Sequence, residues 1–125
     1  MKYLIILFLS LTVSYSADQN YNVQLNPSSG SLTMISTNRG DGNVTLVSGI
    51  DSVVQIFNST LTANRTVTLS TTNANAGDTF KIVRNGLGLF TLNVGGLKTI
   101  PSVTAGVVDV MFDGSSWILI GYSVL

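Results

Sequence analysis

The chain has 125 residues, no histidine, cysteine or glutamate, and six Lys and Arg against six Asp. These absences remove the usual zinc sites, the Ser–His and Cys–His nucleophile pairs and the commonest general base, so no catalytic residue, metal or cofactor is expected and the chain reads as a non-enzyme. With no basic patch to hold a phosphate backbone, nucleic acid is not an expected partner.

Residues 1–16 read as a secretory signal: Met1-Lys2 is a positive start, Tyr3 to Val13 an uncharged apolar run, and Ser14-Tyr15-Ser16 supplies small residues at −3 and −1, placing cleavage before Ala17. The run is about 11 residues, and a bilayer span needs roughly 20. No later stretch could span, so no membrane insertion is expected once the signal is removed. The product is expected outside the cell, at the cell surface or in a periplasm. Residues 17–125 then form one domain, with five basic residues against six Asp.

Past residue 17, Thr, Val, Leu, Ile, Asn, Ser and Gly dominate, a composition of strands and turns. The predicted strands in order are Tyr21 to Leu25, Ser31 to Thr37, Asn43 to Ser48, Val53 to Phe57, Arg65 to Ser70, Thr79 to Arg84, Leu89 to Val94, Leu97 to Ile100, Val107 to Phe112 and Trp117 to Tyr122. Short strands with turn signals every 8 to 12 residues or so predict an all-β fold, an antiparallel β-sandwich of jelly-roll-like type. Asn85-Gly86 and Asp113-Gly114 read as hairpin turns, because Asn and Gly tolerate positive φ. No helix follows Gly86-Leu87-Gly88 or Gly95-Gly96, which removes a phosphate-loop reading.

Period two puts Phe90, Leu92 and Val94 on one face, and Val108, Val110 and Phe112 on one face of their strand. Val107, Asp109 and Met111 take the opposite face. Trp117 to Ile120 does not alternate, so it expects cover on both sides, either from a central place in the sheet or from another subunit. Charged residues are 10% of the chain, against roughly a quarter in ordinary domains. Without disulfides to support a small exported domain, self-association is the expected source of further stability.

Asp41, Asp51, Asp78, Asp109 and Asp113 are scattered and read as turn caps; no pair has glycosidase spacing and no loop has the calcium pattern. Asn43-Val44-Thr45, Asn58-Ser59-Thr60 and Asn64-Arg65-Thr66 match the glycosylation sequon. Arg39-Gly40-Asp41 matches an integrin-binding tripeptide by chance. Trp117, beside Ile118, Leu119 and Ile120, reads as packing before sugar stacking.

Five segments, in order, carry a family resemblance: Leu61 to Ser70, Ala76 to Ile82, Phe90 to Gly95, Leu97 to Ile100, and Asp113 to Leu119. Over about Val53 to Leu125 the chain resembles the C-terminal tip domains of bacteriophage tail fibres and tailspikes and of fibre-like bacterial adhesins. That resemblance implies a sandwich that forms a homotrimer and contacts a surface receptor, often a glycan. The signal segment and the missing shaft depart from phage fibres and look more like an exported adhesin. The expected ligand contacts are Arg39, Asp41, Asn75, Asn85 and Leu87, from loops Asn38 to Gly42, Asn73 to Asp78 and Asn85 to Gly88. Val107, Met111, Ile118 and Ile120 are the expected subunit contacts. The competing reading is a filament or coat subunit, with Ala17 to Leu25 as an arm that adds a strand to a neighbour.

Overall fold

The computed structural model describes Val23–Leu25, Leu32–Met34 and residues 36–125. The signal segment, and the arm up to residue 22, lie outside the described residues. Among the described residues there is no helix. The strands are β1 (Val23–Leu25), β2 (Leu32–Met34), β3 (Ser36–Asn38), β4 (Val44–Leu46), β5 (Val54–Phe57), β6 (Arg65–Leu69), β7 (Thr79–Arg84), β8 (Leu92–Val94), β9 (Lys98–Ile100), β10 (Gly106–Phe112) and β11 (Trp117–Val124).

β1 and β2 pair antiparallel with each other. The rest make two mixed sheets, one of five strands in the order β11-β10-β7-β5-β3 and one of four in the order β4-β6-β8-β9. From β3 to β8 the chain visits the two sheets alternately. Each strand pairs in parallel with the one two before it: β3 with β5, β5 with β7, β4 with β6 and β6 with β8. The backbone is therefore wound as three successive coils. Antiparallel pairing is confined to β1–β2, β7–β10, β8–β9 and β10–β11.

This corrects the expected antiparallel, jelly-roll-like order, and the cause is visible at Asn85-Gly86. The N–H groups of Asn85 and Gly86 both donate to the Phe57 carbonyl of the preceding coil, at 3.0 Å each. They do not close a hairpin between β7 and β8, which lie in different sheets. The hairpins are elsewhere. Gly95 and Gly96 (φ 57° and 71°) join β8 to β9, with Leu97 N–H donating to the Val94 carbonyl at 2.8 Å. The Asp113-Gly114 turn joins β10 to β11 as expected, with Asp113 N–H on the Ser116 carbonyl.

Both sheets contribute to one core. Leu46, Val67, Leu92, Val94 and Ile100 meet Phe57, Phe80, Ile82, Val108, Val110 and Phe112 across the interior. Trp117 is 8% exposed, packs 5.3 Å and 5.4 Å (ring centroids) from Phe80 and Phe112, and donates its indole N–H to the Ser70 carbonyl at 2.9 Å. It is a core residue. β11 is the edge strand of its sheet, which removes the central-strand explanation of its apolar run. A register shift between Asp109 and Val110 leaves Ile120 as the extra residue of a bulge.

Candidate functional site

The winding stacks three turns along one edge: residues 39–43, 58–64 and 85–91. Side-chain amides form the rungs between them. The Asn43 Oδ1 accepts the Thr66 N–H at 2.9 Å, and Asn64 Oδ1 accepts the Thr91 N–H at 3.0 Å. Asn58 Oδ1 accepts from Asn85 Nδ2 at 3.1 Å. An amide that bonds the next coil satisfies backbone donors which a turn cannot satisfy internally. The three sequon asparagines are thus all rungs of this ridge.

Asp41 joins the first two turns. Its carboxylate accepts from Arg65 Nε at 2.8 Å and from the Thr62 hydroxyl at 2.5 Å. The Arg65 guanidinium, then Thr62, holds the Asp41 carboxyl well below the usual carboxylate range, and Asp41 raises Arg65 in return. Arg39 turns into the coil, donating from Nε to Gln55 Oε1 at 2.5 Å and from Nη2 to Asp51 Oδ1 at 2.6 Å. Gln55 is fully buried and donates to the Ser52 carbonyl. Both charges of the Arg39-Gly40-Asp41 tripeptide are therefore paired within the fold.

Asp113 is also held low, by the backbone N–H groups of Ser116 and Ser115. A carboxyl with a depressed folded value binds fewer protons folded than unfolded, so its contribution is full above the unfolded value and is lost as pH falls through the folded one. Urea midpoints should therefore be flat down to about pH 4 and drop below it. Asp41→Asn should lower the midpoint at neutral pH and flatten the acid drop.

Of the expected ligand residues, Asp41, Asn85 and Leu87 share the ridge with the backbone of Arg39. Asn75 does not. Its turn precedes β7, at the opposite end of that strand, where Gly77 N–H donates to the Phe112 carbonyl. Asn75 N–H bonds Asp78 Oδ2 and its side-chain amide bonds the Asn73 carbonyl. A cleft of about 330 Å³ opens elsewhere, between Thr66–Leu69 of β6 and Ser115, Ser116 and one edge of Trp117.

Three of the four expected subunit residues, Val107, Met111 and Ile118, lie on the outer face of the five-stranded sheet. Register places Asn38, Ile56, Val83, Val107 and Ser123 in one row across it. Thr79, Met111 and Ile118 form another. Between these rows runs Ser36, Val54, Lys81, Asp109 and Gly121, with Lys81 Nζ 2.7 Å from Asp109 Oδ1. Val54, Ile56, Val83, Val107, Met111 and Ile118 are half-buried. Ile120 stands on the bulge, 53% exposed.

Sequence reasoning missed Arg84. It is 0% exposed and, among the described residues, no carboxylate pairs with it. Its guanidinium donates to five backbone carbonyls: Gly86 (3.0 Å), Gly88 (3.5 Å), Phe90 (2.8 Å), Ile100 (3.3 Å) and Pro101 (2.7 Å). Burial pushes its pKa down. The signal was present, since period two aligns Arg84 with Phe80 and Ile82 on the inward face. No family model, no curated protein and no solved structure matches this chain.

Proposed function

We propose that this chain is an exported, non-catalytic binding module of the fibre-tip type: a two-sheet sandwich that assembles as a homotrimer and recognises a cell-surface ligand, a glycan first. The observation that carries this reading is the outer face of the five-stranded sheet. Six aliphatic or thioether side chains lie there around a single ion pair, on a chain with few charges to cover its surface. Such a patch marks an interaction surface, and a second and third copy bring the same patch to it. Recognition then falls to the ridge, whose Asn58, Ser59, Thr60, Thr62 and Asn64 are exposed amides and hydroxyls, suited to sugar hydroxyls.

The double substitution Val107→Lys with Met111→Lys tests the assembly. Three facing copies would bury six added ammonium groups, so the mass in solution should fall to that of one protomer, with the β circular-dichroism signal retained. An unchanged mass would remove this face as the interface. A glycan array probed with residues 17–125 tests the ligand class, and a ridge substitution such as Thr60→Arg should abolish any signal found.

A filament subunit is the second reading. Among the described residues β3 and β4 are the outermost strands of their sheets, at the same end of the winding, where a neighbour's strand would add. Deleting residues 17–25 should dissolve a filament and leave the mass of a trimer unchanged.

A further inference from the structure

We infer that the loop tip built from residues 86–90 and 101–105 docks on the surface of a lipid bilayer. Leu87, Leu89, Phe90 and Val103 are exposed there, Leu89 by 81% and Val103 by 63%. Val103 N–H donates to the Gly88 carbonyl at 2.7 Å, which joins the two loops. Val124 lies beside them, because its partner across the ladder is Gly106. Apolar side chains in water are ordinary when scattered, but these are gathered and held.

Two costs hold them in place. Val103 has φ 51°, the left-handed region that a β-branched residue avoids, and the strain is kept with its side chain in solvent. Arg84 is desolvated with no carboxylate partner among the described residues, and its carbonyl partners at Gly86, Gly88, Phe90 and Pro101 are the backbone of these same loops, with Ile100 just before the second. With alternate carbonyls drawn inward, Leu87 and Leu89 stand outward between them. A preorganised apolar projection loses little freedom on docking.

The occupant follows from charge and shape. Residues 85–108 contain one charged residue, Lys98, and no acid. The Lys98 ammonium lies 4.1 Å from the centre of the Tyr122 ring. Tyr122 sits two residues before Val124 on β11, about 7 Å back from the tip. Aliphatic side chains at the front with Lys and Tyr behind match a headgroup boundary, where apolar groups enter by about 5–10 Å and a cation faces lipid phosphate. Leu and Val are also under-represented among protein hot spots. Docking of this kind is peripheral, and no described helix is long and apolar enough to cross.

Flotation of residues 17–125 with vesicles of phosphatidylcholine, with and without phosphatidylglycerol, tests this. The chain should float with both and more with the anionic mixture. Leu89→Asp, at a position too exposed to disturb folding, should lower the bound fraction by about tenfold or more with the solution mass unchanged. Absence of flotation, or flotation that Leu89→Asp leaves intact, would overturn the inference. So would a fall in assembly mass with Leu89→Asp, which would assign the tip to a second copy. Such failures leave the sheet-face assembly untouched, because Leu89 lies outside its contact set. Leu89 does belong to the third turn of the ridge, and the glycan array with Thr60→Arg, in the second turn, reads recognition by the ridge separately.

Discussion

Replacing Arg84 by methionine is expected to destabilise the fold by about 3–5 kcal/mol, the range found when one partner of a buried polar or ionic arrangement is removed. Methionine occupies much of the arginine volume, so the loss is not chiefly a cavity. It arises because the carbonyls of Gly86, Gly88, Phe90, Ile100 and Pro101 lose their donor together. Against a typical total of about 5–15 kcal/mol this is a large fraction, and the melting temperature should drop by on the order of 15 °C. Arg84→Lys keeps the charge but replaces a planar fork of five donors by one ammonium, so it should recover only part of the loss. If thermal unfolding showed the methionine variant within about 1 kcal/mol of wild type, the keystone role of Arg84 would be wrong.

The second large effect is expected at Gly86. A Cβ there would meet the Ser59 carbonyl oxygen at 2.0 Å, the Ser59 carbonyl carbon at 2.4 Å and the Asn58 oxygen at 2.7 Å. All three are backbone atoms of the preceding turn, so no side chain can swing away. Gly86→Ala must part the second and third turns, breaking the Gly86 N–H bond to Phe57 and displacing the Arg84 acceptor at Gly86. A loss of about 3 kcal/mol or more is expected in denaturant melts, above the usual overpacking range because backbone has to move. Gly42→Ala is the internal control. Its added methyl meets nothing within 4 Å and its φ lies outside the left-handed region, so stability should hold or rise by about 0.4–1 kcal/mol.

Both effects lie where the sequence was hardest to read. The strands themselves were legible because alternation is local: Thr79 to Arg84 matches β7 end for end, and Val108, Val110 and Phe112 are buried as their spacing required. The segment read as one strand from Ser31 to Thr37 is two, β2 and β3. Leu89 to Val94 contracts to β8, because Phe90 gives its carbonyl to Arg84 and its ring to solvent. Pairing direction was not legible. Strands of three to six residues carry no mark of their partner, and Asn-Gly serves equally for a hairpin and for a close approach between coils. Asn85-Gly86 is the second, and only the Ser59 backbone opposite Gly86 distinguishes them.

The candidate site was legible in part for the same reason. Val107, Met111 and Ile118 share the outer sheet face because period two and one cross-strand register put them there. Val83 joins that face from β7 through its antiparallel pairing with β10, and Val54 and Ile56 join it from β5 through the parallel winding, all from segments remote in sequence. The loops around Asn38 to Gly42 and Asn85 to Gly88 belong to one ridge, whereas the loop around Asn75 lies at the far end of β7. Arg39 and Asp41 look available in a polar loop. Their partners Asp51, Gln55, Arg65 and Thr62 come from other turns and strands, and pairing across that distance leaves no trace in local composition.

The mass of residues 17–125 in dilute solution, by sedimentation or light scattering at micromolar protein, bears most directly on whether copies of this chain cover one another. The proposed assembly through the outer face of the five-stranded sheet predicts a species three times the protomer mass that survives dilution. A stable species of protomer mass, with Met111 and Val107 freely accessible to solvent, would contradict it.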